Sequence, residues 1–353
     1  MTESGIALSA AYFSDVVAPL LASRLPGIRY AAARLGSGSD VLGLDDDTSR
    51  DHDWGLRLTL LVEDEDAITD VRDLLDLALP DEFLGHPTRF ATTWRPTKQH
   101  QIDVSTADDF ARSRLGADPH SLNTAADWLS LTGQSVLEVT AGPVFVDDVG
   151  RITDIRASLR WYPRDVWLYV LATDWARLGQ ELPFIGRAGS RGDDLGSRVI
   201  TARLARVSMH LGFMLERRWA PYGKWLGTEF SRLPRAGSAS RPLEAALAAS
   251  DWRSRERAMC DALDVLSGIQ QSADLPTSEI VTEQFYGRPF RGLGPLSELL
   301  METIEDPAVR RLPLGVGAIE QWSDNVNLLT SAALRTSFTR ALEERTARFQ
   351  PDR

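Results

Sequence analysis

A single cysteine, Cys260, serves the whole 353-residue chain. No intrachain disulfide can form, and a Cys-rich zinc site is excluded. Histidine is nearly as scarce, and His52, His86, His100, His120 and His210 never fall at i, i+4 spacing. That removes the helical His pair on which many zinc sites are built. Long apolar runs are lacking as well. The best, Val166 to Ala172, falls far short of the ~18 residues a membrane span needs. Met1 to Ser9 has no basic segment ahead of an apolar one, so no secretory signal is expected. These absences predict a soluble, cytoplasmic protein with no membrane partner.

Lysine is the last scarcity. Lys98 and Lys224 stand against 37 arginines, a bias that reads as genomic composition and makes each surviving lysine worth inspection. What is present is ordinary for a globular chain: 43% apolar and 25% charged residues, which excludes a disordered or fibrous protein. The net charge of −11 is unevenly spread. Residues 1–150 hold 25 acidic against 11 basic side chains, and residues 151–353 hold 25 against 28. An acidic first half disfavours nonspecific nucleic-acid binding, which draws its affinity from phosphate neutralisation. It suits divalent cations or a cationic substrate.

Two domains are expected at this length. In residues 1–150 helical and strand patterns alternate. Ser9 to Arg24 has helical spacing, Ile28 to Leu35 reads as a strand, and Trp54 to Val62 places Leu56, Leu58 and Leu60 on one strand face. An acidic helix, Asp66 to Leu79, is followed by strand candidates Arg89 to Trp94 and Gln101 to Ser105 and a helix over Ala107 to Leu115. From 151 to 353 the pattern is helical: Pro163 to Leu178, Leu195 to Arg218, Leu243 to Ser267 and Ser331 to Arg348, with loops at Gly186 to Gly196 and Arg235 to Ser240. The fold class predicted is α+β, an αβ domain followed by an all-helical one.

Chemistry concentrates in Leu35-Gly36-Ser37-Gly38-Ser39-Asp40, Asp45-Asp46-Asp47 and Arg50-Asp51-His52-Asp53-Trp54-Gly55. Asp51 and Asp53, at i and i+2 of a strand start, are expected on one face, as a platform for Mg²⁺ with its waters and substrate phosphates. A Gly-Ser turn lets backbone N–H groups approach a triphosphate, because no Cβ blocks it. Asp103, on a neighbouring strand, is the natural third carboxylate. The acidic cluster fails the EF-hand template, since Arg50 stands at the glycine position. Ala188-Gly189-Ser190-Arg191-Gly192 only approximates a nucleophile elbow.

Leu35-Gly36-Ser37, a thirteen-residue spacer and Asp51-His52-Asp53-Trp54 resemble the signature of the nucleotidyltransferase superfamily related to DNA polymerase beta. His52 departs from the hydrophobe usual between the carboxylates. Gly36 to Gly43, Arg50 to Gly55 and Glu216-Arg217-Arg218-Trp219-Ala220-Pro221-Tyr222-Gly223-Lys224-Trp225-Leu226-Gly227 are similar to the bacterial DUF4037 group. The resemblance implies a mixed-sheet catalytic domain and transfer of a nucleoside monophosphate from an NTP, with pyrophosphate release. It implies that Asp51, Asp53 and Asp103 hold two Mg²⁺ ions and act catalytically, and that Gly36 and Ser37 cradle phosphates. Lys224 and Tyr222 are expected to contact the nucleotide from the helical domain. The layout resembles kanamycin nucleotidyltransferase, so a small cationic acceptor is the leading expectation. A protein or tRNA acceptor and a non-catalytic NTP-sensing module are the alternatives.

Overall fold

The computed structural model describes residues 4–50, 53–93 and 95–348. The chain divides into two compact units, Met1–Leu122 with Ser135–Arg160, and Asn123–Gln134 with Trp161–Arg353. The fold class is α+β.

In the first unit a helical run, α1 (Gly5–Arg24), precedes strands β1 (Tyr30–Ala33) and β2 (Arg57–Val62) and helix α2 (Ala67–Ala78). Then come β3 (Arg89–Phe90), β4 (Gln99–Ser105), α3 (Ala107–Leu115) and β5 (Val144–Asp147). They form one mixed sheet in the order β3-β4-β2-β1-β5, with β2 and β4 parallel and the other pairs antiparallel. The period-2 alternation of β2 explains the sheet's two faces. Leu58, Leu60 and Val62 point with Ala32, Ile102 and Val104 into a core closed by Leu8, Tyr12, Val17 and Leu21 of α1 and by Val71 and Leu75 of α2. By length and mean hydropathy (1.5) α1 could cross a membrane, a feature the search for apolar runs did not register. Its four core residues are fully buried within this unit.

The strand expected from Trp54 begins only at Arg57. Asp53 (φ 59°) and Gly55 (φ 144°) have left-handed backbones that interrupt the extended chain. Asp53 therefore lies in a loop ahead of the strand, and the alternation argument for its direction does not apply. Strand β5 and the helices Gly133–Thr140 and Arg151–Ser158 were not anticipated. β5 is a four-residue edge strand, too short to print an alternation.

The second unit is helical except for one short hairpin, Thr282–Gln284 with Arg291–Leu293. Two long helices, Arg164–Gly189 and Asp194–Leu215, dominate it. They absorb most of the loop expected over Gly186 to Gly196, because the glycines there serve packing. A Cβ on Gly186 would stand 2.5 Å from the Phe290 ring, and one on Gly189 would strike the Trp252 side chain. The expected helix Leu243 to Ser267 is two, Ser240–Ala248 and Trp252–Ser272, with Asp251 capping the second.

Candidate functional site

The Gly-Ser segment leaves the end of β1 and folds over the opposite face of the sheet from the leucine core. Arg34 shapes it from below. Its guanidinium, 1% exposed, grips Asp40 with both prongs (2.7 and 2.8 Å) and also donates to Leu35 O (2.6 Å) and Ser37 O (3.0 Å). Asp40 is thus neutralised internally and adds no acidity to a site. Gly36 N donates to Glu138 O (2.7 Å), which closes one side of the loop. Gly36 (φ 85°) and Gly38 (φ 140°) adopt backbones that an L side chain rarely takes. A Cβ on Gly38 would also collide with the Asp40 carboxylate and the Arg34 guanidinium.

Strand register brings the other sequence segments to this loop. Thr59 of β2 exchanges hydrogen bonds with the backbone of Leu35 (3.3 Å each). In the parallel pair β2–β4, Thr59 stands opposite Asp103. Asp103 is therefore one strand removed from the residue that anchors the Gly-Ser loop. Its carboxylate lies 3.5 Å from Arg114 Nη2, and Arg114 Nη1 lies 3.5 Å from Glu138. Arg57, at the start of β2, spans two loops: Nη1 donates to Asp53 O (3.3 Å) and Nη2 to Ser37 Oγ (3.5 Å). Asp53 Oδ1 accepts from Thr93 N (2.5 Å). Asp45, from the same acidic run, is taken up structurally, accepting from Gly5 N (2.7 Å) and Trp54 Nε1 (3.3 Å).

The predicted residues thus fall into three sets. Gly36, Ser37, Asp53 and Asp103 belong to the first unit, near one end of its sheet. Asp51, with His52, lies outside the described residues. Tyr222 and Lys224 belong to the second unit. Tyr222 is 45% exposed and its N–H donates to Gln134 Oε1 (3.3 Å), while Lys224 is exposed with its ammonium 4.8 Å from the Trp225 ring centroid. Among the described residues no three His, Cys, Asp or Glu side chains gather as metal ligands. The donor chemistry nevertheless fits Mg²⁺, which takes one or two carboxylates and completes its shell with water and phosphate. Asp53 and Asp103 are the two described carboxylates of the predicted set.

Sequence reasoning missed Arg34, Arg57 and Arg114, although Arg34 and Arg57 flank the motif it singled out. Burial lowers the Arg57 pKa, and Arg34 and Arg114 push the same way, while Asp40 and Asp53 resist; the outcome is about 10. It also missed a buried cluster in the second unit. His210 Nδ1 lies 2.6 Å from Asp174 Oδ2, and Nε2 lies 3.6 Å from Glu320 Oε1. Gln321 Nε2 donates to Asp174 Oδ1 (2.7 Å) and Val170 O (2.9 Å), and Gly133 N donates to both Glu320 oxygens. Burial alone would lower the His210 pKa, but Asp174 and Glu320 outweigh it and raise it to about 10.

Residues 128–226 match the family DUF4037, described as a domain of unknown function. That stretch holds Asp174, His210, Tyr222 and Lys224 and covers Glu216 to Leu226 of the noted resemblance, while Gly36 to Gly43 and Arg50 to Gly55 lie outside it. Among solved structures, the chain is similar to a nucleotidyltransferase-like protein from Exiguobacterium sibiricum 255-15, at 13% identity and a TM-score of 0.31, over 74% of each chain. No curated protein matches.

Proposed function

We propose that this chain is a Mg²⁺-dependent nucleotidyltransferase that moves a nucleoside monophosphate from an NTP to a hydroxyl acceptor. The observation that supports it is convergence. The Gly-Ser loop after β1 is tied to β2 through Thr59, which stands opposite Asp103 on β4, and Arg57 of β2 reaches both that loop and the Asp53 loop. In this reading Gly36 and Ser37 face the terminal phosphates, and Asp53 and Asp103, with Asp51, would hold Mg²⁺, which neutralises the phosphate chain when bound. Asp103 takes the acceptor's proton as the acceptor oxygen attacks the α-phosphorus. The bond from that phosphorus to the α,β-bridging oxygen breaks, and pyrophosphate carries away the electron pair. Tyr222 and Lys224 are proposed as nucleotide contacts from the second unit, and a small cationic metabolite as the acceptor class, with protein or tRNA less favoured.

A second reading, an NTP-binding module without turnover, has one observation in its favour. Both described carboxylates are already engaged, Asp53 by Thr93 N and Asp103 by Arg114. Pyrophosphate release from each of the four NTPs separates the two, measured with Mg²⁺ in the presence of small-molecule, protein and tRNA pools. Release that disappears in Asp103→Asn supports the transferase. Mg²⁺-dependent NTP binding with no release in any pool supports the sensor.

A further inference from the structure

Arg34 and Arg57 lie under the same loop and meet opposite fates. Every nitrogen of the Arg34 guanidinium donates a hydrogen bond, and its charge is matched by Asp40. Arg57 makes two long side-chain hydrogen bonds, to Asp53 O and Ser37 Oγ, and no ion pair among the described residues. Its side chain is half-buried beside two other guanidiniums, whose like charge disfavours its own. A planar group with five N–H donors is thereby left under-bonded in a partly desolvated place. In the loop it touches, at Ser37 and beside Gly38, the backbone N–H groups of Ser37, Gly38 and Ser39 donate to no described residue, and all three residues are only half-buried. Successive free amides of a turn next to a fork of guanidinium donors are the kind of donor set that binds anions.

We infer that Arg57 is an anion receptor, which with the Ser37–Ser39 amides takes two linked phosphate groups of a polyphosphate. The inference rests on the nucleotidyltransferase reading for the identity of the ligand, and it adds that the phosphate chain binds without a divalent cation. It also gives Arg57 a second task. Its hydrogen bond to Asp53 O joins the phosphate loop to the loop bearing a catalytic carboxylate, so occupation of the cradle positions Asp53. Two sources could fill such a cradle, a free single phosphate or a phosphate chain. The nucleotidyltransferase reading on which the inference rests favours the chain.

Isothermal titration of the full-length protein with pyrophosphate in EDTA tests this, with inorganic phosphate and sulfate as parallel arms. Wild type is expected to bind pyrophosphate at least ten-fold tighter than phosphate. Loss of a charge-assisted fork in Arg57→Gln is expected to weaken pyrophosphate about ten- to a hundred-fold, and Arg57→Lys, which keeps the charge without the fork, by an intermediate factor. Neither variant should melt below wild type, because the residue removed is under-bonded and repelled; that readout separates a receptor from a structural tie. Pyrophosphate binding within two-fold of wild type in both variants overturns the inference, as does absence of pyrophosphate binding by wild type. Failure of the transferase reading looks different: pyrophosphate binds and Arg57→Gln weakens it, yet no NTP is ever cleaved.

Discussion

Beneath the Gly36–Gly38 loop, three arginines share a small volume with Asp40, Asp53 and Asp103, and one of them, Arg57, is left with two long hydrogen bonds. In the helical unit, Asp174, His210 and Gln321 are buried and Glu320 is half-buried, and there opposite charges alternate and each carboxylate accepts from a protein donor. Both clusters remove charge from water, which costs several kcal/mol per ion unless partners make it good. The helical cluster balances its charges within the chain, although His210 Nε2 makes no hydrogen bond, and it ties residue 320 to helices more than a hundred residues earlier. The cluster of the sheet unit leaves donors over. A polar group whose partners are incomplete has room for a ligand; one whose partners are complete holds the fold. The two clusters predict opposite responses to mutation, with activity moving in one and stability in the other.

The largest expected effect is on turnover. Asp53→Asn and Asp103→Asn should each lower nucleotidyl transfer by roughly 10²–10⁴-fold, the usual worth of a positioned proton acceptor or charge carrier, while thermal melts stay near wild type. A large fall in melting temperature would place these residues with the helical cluster in kind. Next in size is Asp174→Ala, which leaves a buried imidazolium with one partner. A loss of about 3–5 kcal/mol is expected in denaturant unfolding, and loss below about 1 kcal/mol would contradict the pairing described. Arg34→Gln should behave like Asp174→Ala, since Arg34 is the matched member of its own cluster.

The pH dependence comes third. His210 is raised in the folded chain to about 10, above the ~6.5 of an unfolded histidine. Its stabilisation is therefore complete below about pH 6.5 and is lost as pH rises through about 10, with a slope of up to roughly 1.4 kcal/mol per pH unit. Melting temperatures across pH 6–10 test it, and a profile that rises over that range would refute it. The smallest effect on stability belongs to Arg57→Gln, which should melt no lower than wild type and differ from it by about 1 kcal/mol or less.

The difference between the clusters also explains what could be read in advance. Leu56, Leu58 and Leu60 were legible because a strand writes its buried face at every second residue. Gly36 and Ser37 were legible as a turn ending a strand, and Asp103 as a residue inside one, because glycine punctuates a run of strand-forming residues. Arg57 was not, since an arginine at a strand start is indistinguishable in sequence from one facing solvent. Its meaning depends on Ser37 and Asp53 having folded around it. His210 was illegible for a related reason: its partners lie 36 and about 110 residues away, and no local pattern joins them. The expected loop over Gly186 to Gly196 failed because glycine marks close packing as readily as it marks a turn, and only the Trp252 and Phe290 rings reveal which.

Transfer of label from an NTP carrying a labelled α-phosphate is the most direct test of the sheet-unit site, run for wild type, Asp103→Asn and Arg57→Gln with Mg²⁺ and each acceptor pool. Label is expected to pass to one pool with wild type, to vanish with Asp103→Asn and to fall sharply with Arg57→Gln, all three proteins melting alike. Label transfer by Asp103→Asn at the wild-type rate would contradict the assignment of this site.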